Sequence, residues 1–352
     1  MTTKRTYRPA DPYGLTRVLE PRGVLPQEAE SIDAQLPLAE DELEIEVESL
    51  NIDSASFHQI SAACGGDISK ISAHIEALVA LRGKQHNPVT GSGGMLIGRV
   101  TQIGPAFPVR EKPVQVGDRI ATLVSLSLTP LLLRKIKAVH SKVDRVDVEA
   151  RAILFSTGLF SRLPADLPEN VALAVLDVAG APAQTARLVQ PGHTVVVIGG
   201  GGKSGVLCLA EAKKKPGVRT IAIDYSPASV ERTRKFSFVD EVIQVDARNA
   251  IEVMRAVSKA TQGKMADLVI NVANIPNTEM ASILSCRQGG IVYFFSMATS
   301  FTRAALGAEG VGANVDLRIG NGYTPGHADL ALDLVRESTE LRRLFEATYG
   351  VT

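Results

Sequence analysis

A glycine-rich turn directly after a short apolar stretch is the strongest constraint that this sequence places on its fold. The stretch 194–199 (TVVVIG) predicts a buried strand, and the glycines of 199–205 (GGGGKSG) follow it with the spacing G-x-G-x-x-G. Glycine lets a backbone turn tightly and approach a pyrophosphate, and a helix that begins near Lys203 offers unpaired N–H groups to the phosphates. The turn therefore predicts a dinucleotide site. Its predicted contacts are Gly199, Gly200, Gly202, Lys203, Ser204 and Gly205.

The end of the next predicted strand bears on the choice of dinucleotide. The strand 220–225 (TIAIDY) carries Asp224, whose carboxylate can accept hydrogen bonds from both ribose hydroxyls and repel a 2′-phosphate. Asp224 therefore favours NAD over NADP. Tyr225 beside it either stacks near the adenine or is a half-exposed aromatic residue at the end of a strand.

Two alternatives compete with a dinucleotide site. The G-x-x-x-x-G-K-[ST] loop of NTPases needs a glycine at position 197, where this chain has Val197 inside the strand. A tight turn without any ligand is the second alternative. The strand, the helix and the acidic residue around the turn disfavour it.

Residues 1–160 predict a β-rich domain. The segment 42–52 (ELEIEVESLNI) alternates apolar and acidic residues, as a half-buried strand does. From Asp67 the period changes to that of one amphipathic helix, with Asp67 as N-cap, Gly83 as terminator and Ile68 on the buried face. Further strands are predicted at 94–104 and 116–124.

Residues 161–352 alternate helical patterns with short apolar strands. The strands are predicted at 194–199, 220–225, 241–245, 267–273, 290–296 and 316–320. Near-continuous apolar strands are typical of a parallel sheet that is covered on both faces. The final segment, 327–349, predicts a single amphipathic helix. The two parts together predict an α/β protein, with a β-rich domain followed by a doubly wound parallel sheet.

The composition excludes several classes of function. Lys plus Arg and Asp plus Glu both number 38, so no net field draws the chain onto nucleic acid or an anionic membrane. The N-terminus lacks the apolar core of a signal peptide and the apolar segment 120–133 is too short to span a bilayer, so we expect a cytoplasmic protein. Cys64, Cys208 and Cys286 form no CxxC pair, which argues against a disulfide framework or a cysteine-based structural zinc site.

Two motifs resemble signatures of the medium-chain dehydrogenase/reductase superfamily and stand in its order. GMLIGRVTQIG (94–104) followed by VQVGDRIATL (114–123) resembles G-x-V-x-x-V-G and V-G-D-R-V. LVQPGHTVVVIGGGGKSG (188–205) resembles V-x-P-G-x-x-V-x-V-x-G-x-G-G-x-G. The resemblance implies a GroES-like catalytic domain over 1–160 and a Rossmann domain over 161–352.

Longer segments resemble one family within that superfamily, the L-erythro-3,5-diaminohexanoate dehydrogenases of lysine fermentation. They are LNIDSASF (50–57), NPVTGSGGMLIG (87–98), ATLVSLSLTPL (121–131), LDVAGAPAQ (176–184) and YFFSMATSFTRAALGAEGVG (293–312). The resemblance implies NAD-linked oxidative deamination of a diamino acid. The products would be 5-amino-3-oxohexanoate and ammonia.

The resemblance also bears on zinc. Many relatives in the superfamily hold a catalytic zinc with a Cys at the position resembling Asp53 or Ser54, a His at the position resembling Ser92, and a third ligand near 175–177. This sequence has neither Cys nor His at those positions. We therefore predict that no metal takes part.

Oxidation of an amine without a metal needs a base. The substrate amine has a pKa near that of lysine, about 10.4, so it arrives protonated and must lose a proton before hydride can leave its carbon. The nitrogen lone pair then stabilises the developing cation, so no Lewis acid is required. Asp53 is the first candidate to bind the ammonium as base or electrostatic guide, with Ser92 beside it; its alternative role is a turn or helix cap. The other candidates are His58, Asp177 and Glu309, each with a structural alternative.

The remaining contacts are predicted from position. Glu309, in a glycine-rich loop, is expected to meet the distal ammonium of the substrate, and Arg303 or the N–H groups of 300–302 its carboxylate, with Ser54 also near the substrate. Loops after the fourth and fifth strands of the parallel sheet are expected at the nicotinamide and its ribose. Their predicted contacts are Asn274, Thr278, Ser296, Met297 and Thr299.

Two other functions remain open on the sequence alone. One is a zinc-independent NAD(P)H quinone or enoyl reductase of the same superfamily, which would prefer NADPH, against the indication of Asp224. The other is a catalytically silent NAD-binding relative, which would not need Asp53, Ser92 and Glu309 to converge. The expected partners are a small diamino acid and, by analogy with the superfamily, further copies of the chain in a homodimer or homotetramer; nucleic acid and membranes are not expected.

Overall fold

Two compact units make up the part of the chain that the structure describes. The computed structural model describes residues 6–88, 91, 93–109, 113–320 and 322–350. The units divide between Pro164 and Ala165. The first is built around an antiparallel sheet and the second around a parallel one, which confirms the predicted α/β fold.

The described part of the first unit combines a six-stranded antiparallel sheet, a short two-stranded sheet and two helices. Its strands are β1 (Val18–Glu20), β2 (Ser31–Ile32), β3 (Leu43–Asn51), β4 (Met95–Ile103), β5 (Arg119–Thr122), β6 (Leu131–His140), β7 (Arg145–Leu154) and β8 (Phe160–Arg162), and its helices are α1 (Ser54–Ala63) and α2 (Ile68–Arg82). β1 pairs with β2, and the main sheet has the order β6-β7-β3-β4-β5-β8. Apolar side chains of β3, β4 and β7 share one core with α1 and α2. The strands predicted at 42–52, 94–104 and 116–124 are confirmed as β3, β4 and β5.

Helix α2 confirms its predicted ends but not the whole of its predicted buried face. Asp67 Oδ1 accepts the N–H of Lys70 at 3.1 Å, and Gly83 follows the helix with a φ of +66°, a conformation that favours glycine. The buried residues of the helix are Ile71, Ile75 and Val79. Ile68, predicted to face inward, is 53 % exposed because the first helical residue lies before the turn that meets the core.

The second unit is a doubly wound parallel sheet. Its strands are β9 (Thr194–Ile198), β10 (Arg219–Asp224), β11 (Glu241–Gln244), β12 (Ala266–Asn271), β13 (Cys286–Phe294) and β14 (Asp316–Ile319). Its helices are α3 (Glu169–Leu176), α4 (Gly180–Leu188), α5 (Lys203–Lys213), α6 (Pro227–Thr233), α7 (Ala250–Ala260), α8 (Glu279–Ser285), α9 (Phe301–Gly310), α10 (His327–Glu337) and α11 (Thr339–Tyr349). The parallel strand order β11-β10-β9-β12-β13-β14 confirms every predicted strand. The chain adds β10 and β11 on one side of β9 and β12 to β14 on the other, and such sheets open a crevice at the carboxyl ends of the strands where this change occurs.

The C-terminal segment forms two helices where the sequence predicts one. The chain breaks at Ser338, whose Oγ accepts the N–H of Leu341 at 3.2 Å and so begins α11. Leu334 before the break and Leu341 and Phe345 after it are buried as predicted. The apolar period therefore continues across the break, which is why periodicity alone did not reveal it.

The apolar segment 120–133 belongs to the antiparallel sheet. It contains most of β5 and the start of β6. Across the described ranges of the chain, no helix is both long enough and apolar enough to cross a bilayer.

A buried ion pair fastens the N-terminal part of the first unit to the start of β3. Arg17 and Glu42 are both wholly buried, and Nε and Nη2 of the arginine each lie 2.7 Å from an oxygen of the carboxylate. Arg17 Nη1 also donates to the carbonyl of Asp33 at 3.0 Å, and the N–H of Ala39 donates to Glu42 at 2.8 Å. Arg8 Nη2 also lies 3.3 Å from Glu42 Oε1, but the Arg8 side chain is 19 % exposed. Removing Arg17 therefore leaves the buried carboxylate with one longer and partly exposed ion pair.

We expect Arg17→Met to lower the free energy of unfolding by about 3 kcal/mol, because the buried carboxylate of Glu42 keeps only its longer ion pair with Arg8. The control is Arg99→Met, which breaks an ion pair with Glu48 whose arginine side chain is 57 % exposed, and which should cost less than about 1 kcal/mol. Urea denaturation followed by circular dichroism measures both. Equal losses in the two variants would contradict the structural role given to the buried pair.

Candidate functional site

The glycine turn between β9 and α5 is packed so closely that most of its glycines are required by the protein itself. Gly199 has a φ of +85°. A Cβ on Gly200 would lie 2.7 Å from Cβ of Ala222, and one on Gly205 would lie 2.3 Å from the carbonyl oxygen of Gly199. These positions exclude a side chain because the start of α5 presses against β9 and β10.

Gly202 is different, because no neighbouring protein atom requires it to be glycine. It is exposed and caps α5, and a Cβ on it would meet only the carbonyl oxygen of Gly199, at an ordinary contact distance of 3.4 Å. An exposed glycine at a helix N-terminus, beside unpaired N–H groups, is what the approach of a pyrophosphate needs. The turn therefore fits a dinucleotide.

Asp224 lies at the end of β10 and holds the turn in place. Its carboxylate accepts the N–H of Gly201 at 2.9 Å, the N–H of Tyr225 at 2.8 Å and the hydroxyl of Ser229 at 2.8 Å. Arg232 on α6 donates to the carbonyl oxygen of Gly201 at 2.8 Å, so both polar groups of that glycine are bound. Ser229 and Arg232 were not predicted, because their contribution depends on α6 returning to the turn.

Lys203 and Asp177 form an ion pair that the sequence did not predict. Asp177 is exposed at the C-terminal end of α3, and its carboxylate lies 2.5 Å from Lys203 Nζ. Lys203 also lies 6.0 Å above the ring of Tyr349. Asp177 is therefore engaged as a partner for the lysine, which weakens its candidacy as a base. Ser204 is half-buried in the first turn of α5.

The predicted cofactor contacts in the loops after β12 and β13 differ in how exposed they are. Asn274 is exposed, whereas Thr278 is 2 % exposed and its hydroxyl accepts from the amide of Asn271 at 2.8 Å. Thr278 therefore supports the loop from within, contrary to the surface contact expected of it. After β13, Ser296 and Thr299 are half-buried and Met297 is 84 % exposed.

Helix α9 replaces the glycine-rich loop that the sequence predicts. Gly307 lies inside this helix, where a Cβ would lie 2.3 Å from Sδ of Met280, so the helix packs closely against that side chain. Arg303 and Glu309 are both exposed, in the first and last turns. The helix separates them by about 9 Å along its axis and places them on different faces. Their contacts with two ends of one substrate stay predictions.

Asp53 is the N-cap of α1, the alternative that the sequence left open for it. Its Oδ2 accepts the N–H and the hydroxyl of Ser56, each at 3.3 Å. Neither bond uses Oδ1. Ser54 donates to the carboxylate of Asp144, and His58 is exposed on α1. Ser92 lies outside the described residues.

A polar segment after α2 was missed by the sequence analysis. Lys84 and Gln85 are wholly buried, Asn87 is 3 % exposed and His86 is half-buried. A run of four polar residues after a helix terminator predicts a surface loop, and nothing in its composition signals burial. Unexpected burial of polar side chains is itself a mark of function.

No described segment of either unit brings together three or more His, Cys, Asp or Glu side chains in a way that could hold a metal ion. Cys208 and Cys286 are buried, and burial raises the pKa of each thiol to about 12. These two thiols are therefore packing residues.

The sequence is similar to characterised proteins over nearly its whole length. Residues 16–164 match the sequence model of the L-erythro-3,5-diaminohexanoate dehydrogenase N-terminal domain. L-erythro-3,5-diaminohexanoate dehydrogenase of Acetoanaerobium sticklandii is 50 % identical over 96 % of this chain and 98 % of its own. The enzyme of the same name from Fusobacterium nucleatum subsp. nucleatum is 48 % identical over the same shares.

Solved structures support the fold. An alcohol dehydrogenase from Thermotoga maritima superposes with a TM-score of 0.52 at 16 % identity, covering 86 % of this chain and 84 % of its own. The CurK enoyl reductase gives a TM-score of 0.52 at 18 % identity, covering 87 % of each chain. Together with the dehydrogenase relatives, this likeness implies a nicotinamide cofactor.

We expect Gly202→Ala to weaken dinucleotide binding and Gly205→Ala to lower the stability of the fold. Gly202→Ala should change the free energy of unfolding by less than about 1 kcal/mol, yet weaken binding of the reduced dinucleotide about tenfold by crowding the phosphates. Gly205→Ala should cost roughly 1–3 kcal/mol of stability, because its Cβ overlaps a carbonyl oxygen. Thermal unfolding and fluorescence titration with the reduced dinucleotide separate the two effects. Unchanged affinity in Gly202→Ala would contradict the site.

Proposed function

The chain belongs to the L-erythro-3,5-diaminohexanoate dehydrogenase family, and on that premise we propose that it oxidatively deaminates L-erythro-3,5-diaminohexanoate. The proposed products are 5-amino-3-oxohexanoate and ammonia, and the proposed oxidant is NAD. The observation that carries the proposal is 50 % identity over 339 residues, which run through both units. Both the glycine turn and the first unit are therefore included in the likeness.

NAD is the proposed form of the cofactor because of the charge at the end of β10. The carboxylate of Asp224 would repel a 2′-phosphate and accept from ribose hydroxyls, while Gly202 and the N-terminus of α5 would hold the pyrophosphate. Tyr225 is 66 % exposed, and its ring is the proposed cover for the adenine. The proposed contacts nearer the nicotinamide are Asn274, Ser296, Met297 and Thr299. Bound NAD would accept hydride from the carbon that carries the reacting amine, and water would hydrolyse the resulting iminium to the ketone and ammonia.

The protein's own part in the reaction begins with a protonated amine. Its pKa is about 10.4 in solution, so at neutral pH the site must hold a cation and then remove a proton. Asp53 suits the first task, because its carboxylate is held at the N-terminus of α1 with Oδ1 outside the capping bonds. We propose Asp53 as the electrostatic partner of the ammonium, with Ser54 next to it in sequence; the role predicted for Ser92 stays a prediction. The amine lone pair then stabilises the cation that forms as hydride leaves, so no Lewis acid is needed to activate the substrate and the proposed reaction is metal-free.

The far end of the substrate carries a carboxylate. Arg303 and the N–H groups at the start of α9 are the proposed contacts for it, since a helix N-terminus and a guanidinium both favour anions. Glu309 lies at the other end of that helix, so we do not assign the distal ammonium to it.

The direct test is reduction of NAD by L-erythro-3,5-diaminohexanoate, followed through the absorbance of the reduced nicotinamide. We expect turnover with equal rates in the presence and absence of a metal chelator. Loss of activity on chelation would overturn the metal-free reaction. If no diamino acid is oxidised while quinones or enoyl substrates are reduced, the chain is a reductase of the wider superfamily instead; binding of NAD without any turnover would indicate a silent relative.

We expect Asp224→Ala to raise KM for NAD about tenfold and to reduce discrimination against NADP, because it removes the charge that binds ribose and repels phosphate. The control is Glu231→Ala, which removes an exposed carboxylate of α6 whose ion-pair partner is Lys235 at 3.8 Å. Steady-state kinetics with both cofactors measure the effect. Equal behaviour of the two variants would refute the ribose role of Asp224.

A further inference from the structure

Three segments of the first unit meet at a pair of glycines. β3 and β4 pair with Asn51 opposite Met95, and the chain enters β4 through Gly93 and Gly94. A Cβ on Gly94 would lie 2.0 Å from the carbonyl oxygen of Asn51 and 2.7 Å from the N of Asp53. A Cβ on Gly93 would lie 2.3 Å from the carbonyl oxygen of Gln85. The residues after β3 and the residues after α2 therefore flank the same two glycines.

A side-chain bond closes this arrangement into a ring. The amide of Asn87 donates to Oε1 of Gln59 on α1, and α1 begins at the Asp53 cap. We call the segments 51–53, 54–59, 85–87 and 93–94 the polar ring. The polar ring brings Asp53 and His86 into one part of the first unit, although 32 residues of sequence and the whole of α2 separate them.

The polar ring contains buried polar atoms without partners. Gln85 is wholly buried, and neither its amide nitrogen nor its amide oxygen has a hydrogen-bond partner in the described part of the chain. The same holds for Oδ1 of Asn51 and Nδ1 of His86. An unpaired buried polar atom is costly, and nearly all such atoms in folded proteins are satisfied by protein, water or ligand. Several within one ring indicate a polar ligand.

The chemistry of these atoms selects a cationic donor. An alkylammonium ion has three N–H donors and no acceptor, whereas the ring offers the amide oxygens of Asn51 and Gln85, an imidazole and the carboxylate of Asp53. Only the carboxylate carries a charge. The set therefore matches one primary ammonium group.

His86 is held in its neutral form. Burial, with the charges of Lys84 and Arg82, lowers the pKa of the His86 imidazole. Lys84 itself points away, its Nζ donating to the carbonyl oxygen of Pro26 at 2.6 Å, and burial lowers its pKa to about 8. At neutral pH the imidazole therefore keeps a lone pair that can accept a proton.

We propose that the polar ring binds the reacting ammonium of the substrate and that His86 accepts its proton. The proposal rests on the proposed deamination, and it names the base which that reaction needs. One N–H bond of the ammonium breaks, its electron pair stays on the amine nitrogen, and the proton forms a new N–H bond on the imidazole. Asp53 balances one positive charge before and after this transfer, first on the ammonium and then on the imidazolium. The freed lone pair prepares the carbon to release hydride.

His86→Gln tests the proton transfer. Because glutamine fills a similar space but takes up no proton, kcat should fall about a hundredfold while the dissociation constant of NAD stays unchanged. Added imidazole should restore part of the lost rate, which a merely structural defect would not allow. The control is His74→Gln on the exposed side of α2, which should keep wild-type kinetics. A His86→Gln variant within threefold of the wild-type kcat would overturn the role of His86.

Gln85→Leu tests the ammonium site. Replacing a wholly buried, unpartnered amide by an apolar side chain of similar size should leave the melting temperature unchanged or raise it. The same change should raise KM for the diamino acid about tenfold. An unchanged KM would overturn the assignment of Gln85.

Binding of propylammonium chloride separates this inference from the proposed reaction. At equal ionic strength, the melting temperature of the wild-type protein should be higher in propylammonium chloride than in sodium chloride. The Gln85→Leu variant should melt at the same temperature in both salts. That result supports the ammonium site even if L-erythro-3,5-diaminohexanoate is not turned over, in which case the proposed function alone fails. No difference between the two salts in the wild-type protein would overturn the site.

Discussion

The close approach of α5 to β9 at the glycine turn is the constraint on which the second unit depends. A Cβ at Gly200 or Gly205 would overlap neighbouring atoms, so only a glycine turn lets the helix begin directly above the sheet. That placement directs the free N–H groups of α5 to the carboxyl edge, beside Asp224, which itself bonds the turn through Gly201. One packing requirement thus produces both the proposed phosphate site and the position of the carboxylate that we propose to bind the ribose. Gly202, which packing does not require, is the glycine that the proposed ligand would explain.

The first unit depends on buried polar and charged side chains within an apolar core. Its core is apolar and closely packed, and the Arg17–Glu42 pair shows that this unit can bury charges when every bond is made. The amide of Gln85 and Nδ1 of His86 are among the buried polar atoms of this unit that have no hydrogen-bond partner in the described residues, and together with Oδ1 of Asn51 they lie within the polar ring. Stability alone would favour apolar residues at such positions, so a ligand is the economical explanation for polar ones. A site that holds an ammonium and removes one proton needs this combination of neutral acceptors around a single carboxylate.

Sequence reasoning was most successful where one local interaction determines the structure. The strand, turn and helix around Gly199 follow from glycine chemistry, and the ends of α2 follow from Asp67 and Gly83. It failed where two interactions compete. Gly307 suggested a loop but lies inside α9, where the helix packs against Met280, and the Ser338 cap divides a helix whose apolar period continues unbroken. The candidate site shows the same limit: Asp53 was found beside its strand, but the burial of Gln85 and His86 depends on contacts between segments distant in sequence, which no local pattern records.

The central claim is that hydride leaves the carbon bearing the amine and reaches a nicotinamide held at the glycine turn. Deuterium placed at C3 of L-erythro-3,5-diaminohexanoate follows that transfer directly, with the reduced cofactor analysed by mass spectrometry after turnover. The account predicts that the label appears in the nicotinamide ring and that ammonia is released in equal amount. Recovery of the label in the organic product or in water, with unlabelled reduced cofactor, would contradict it.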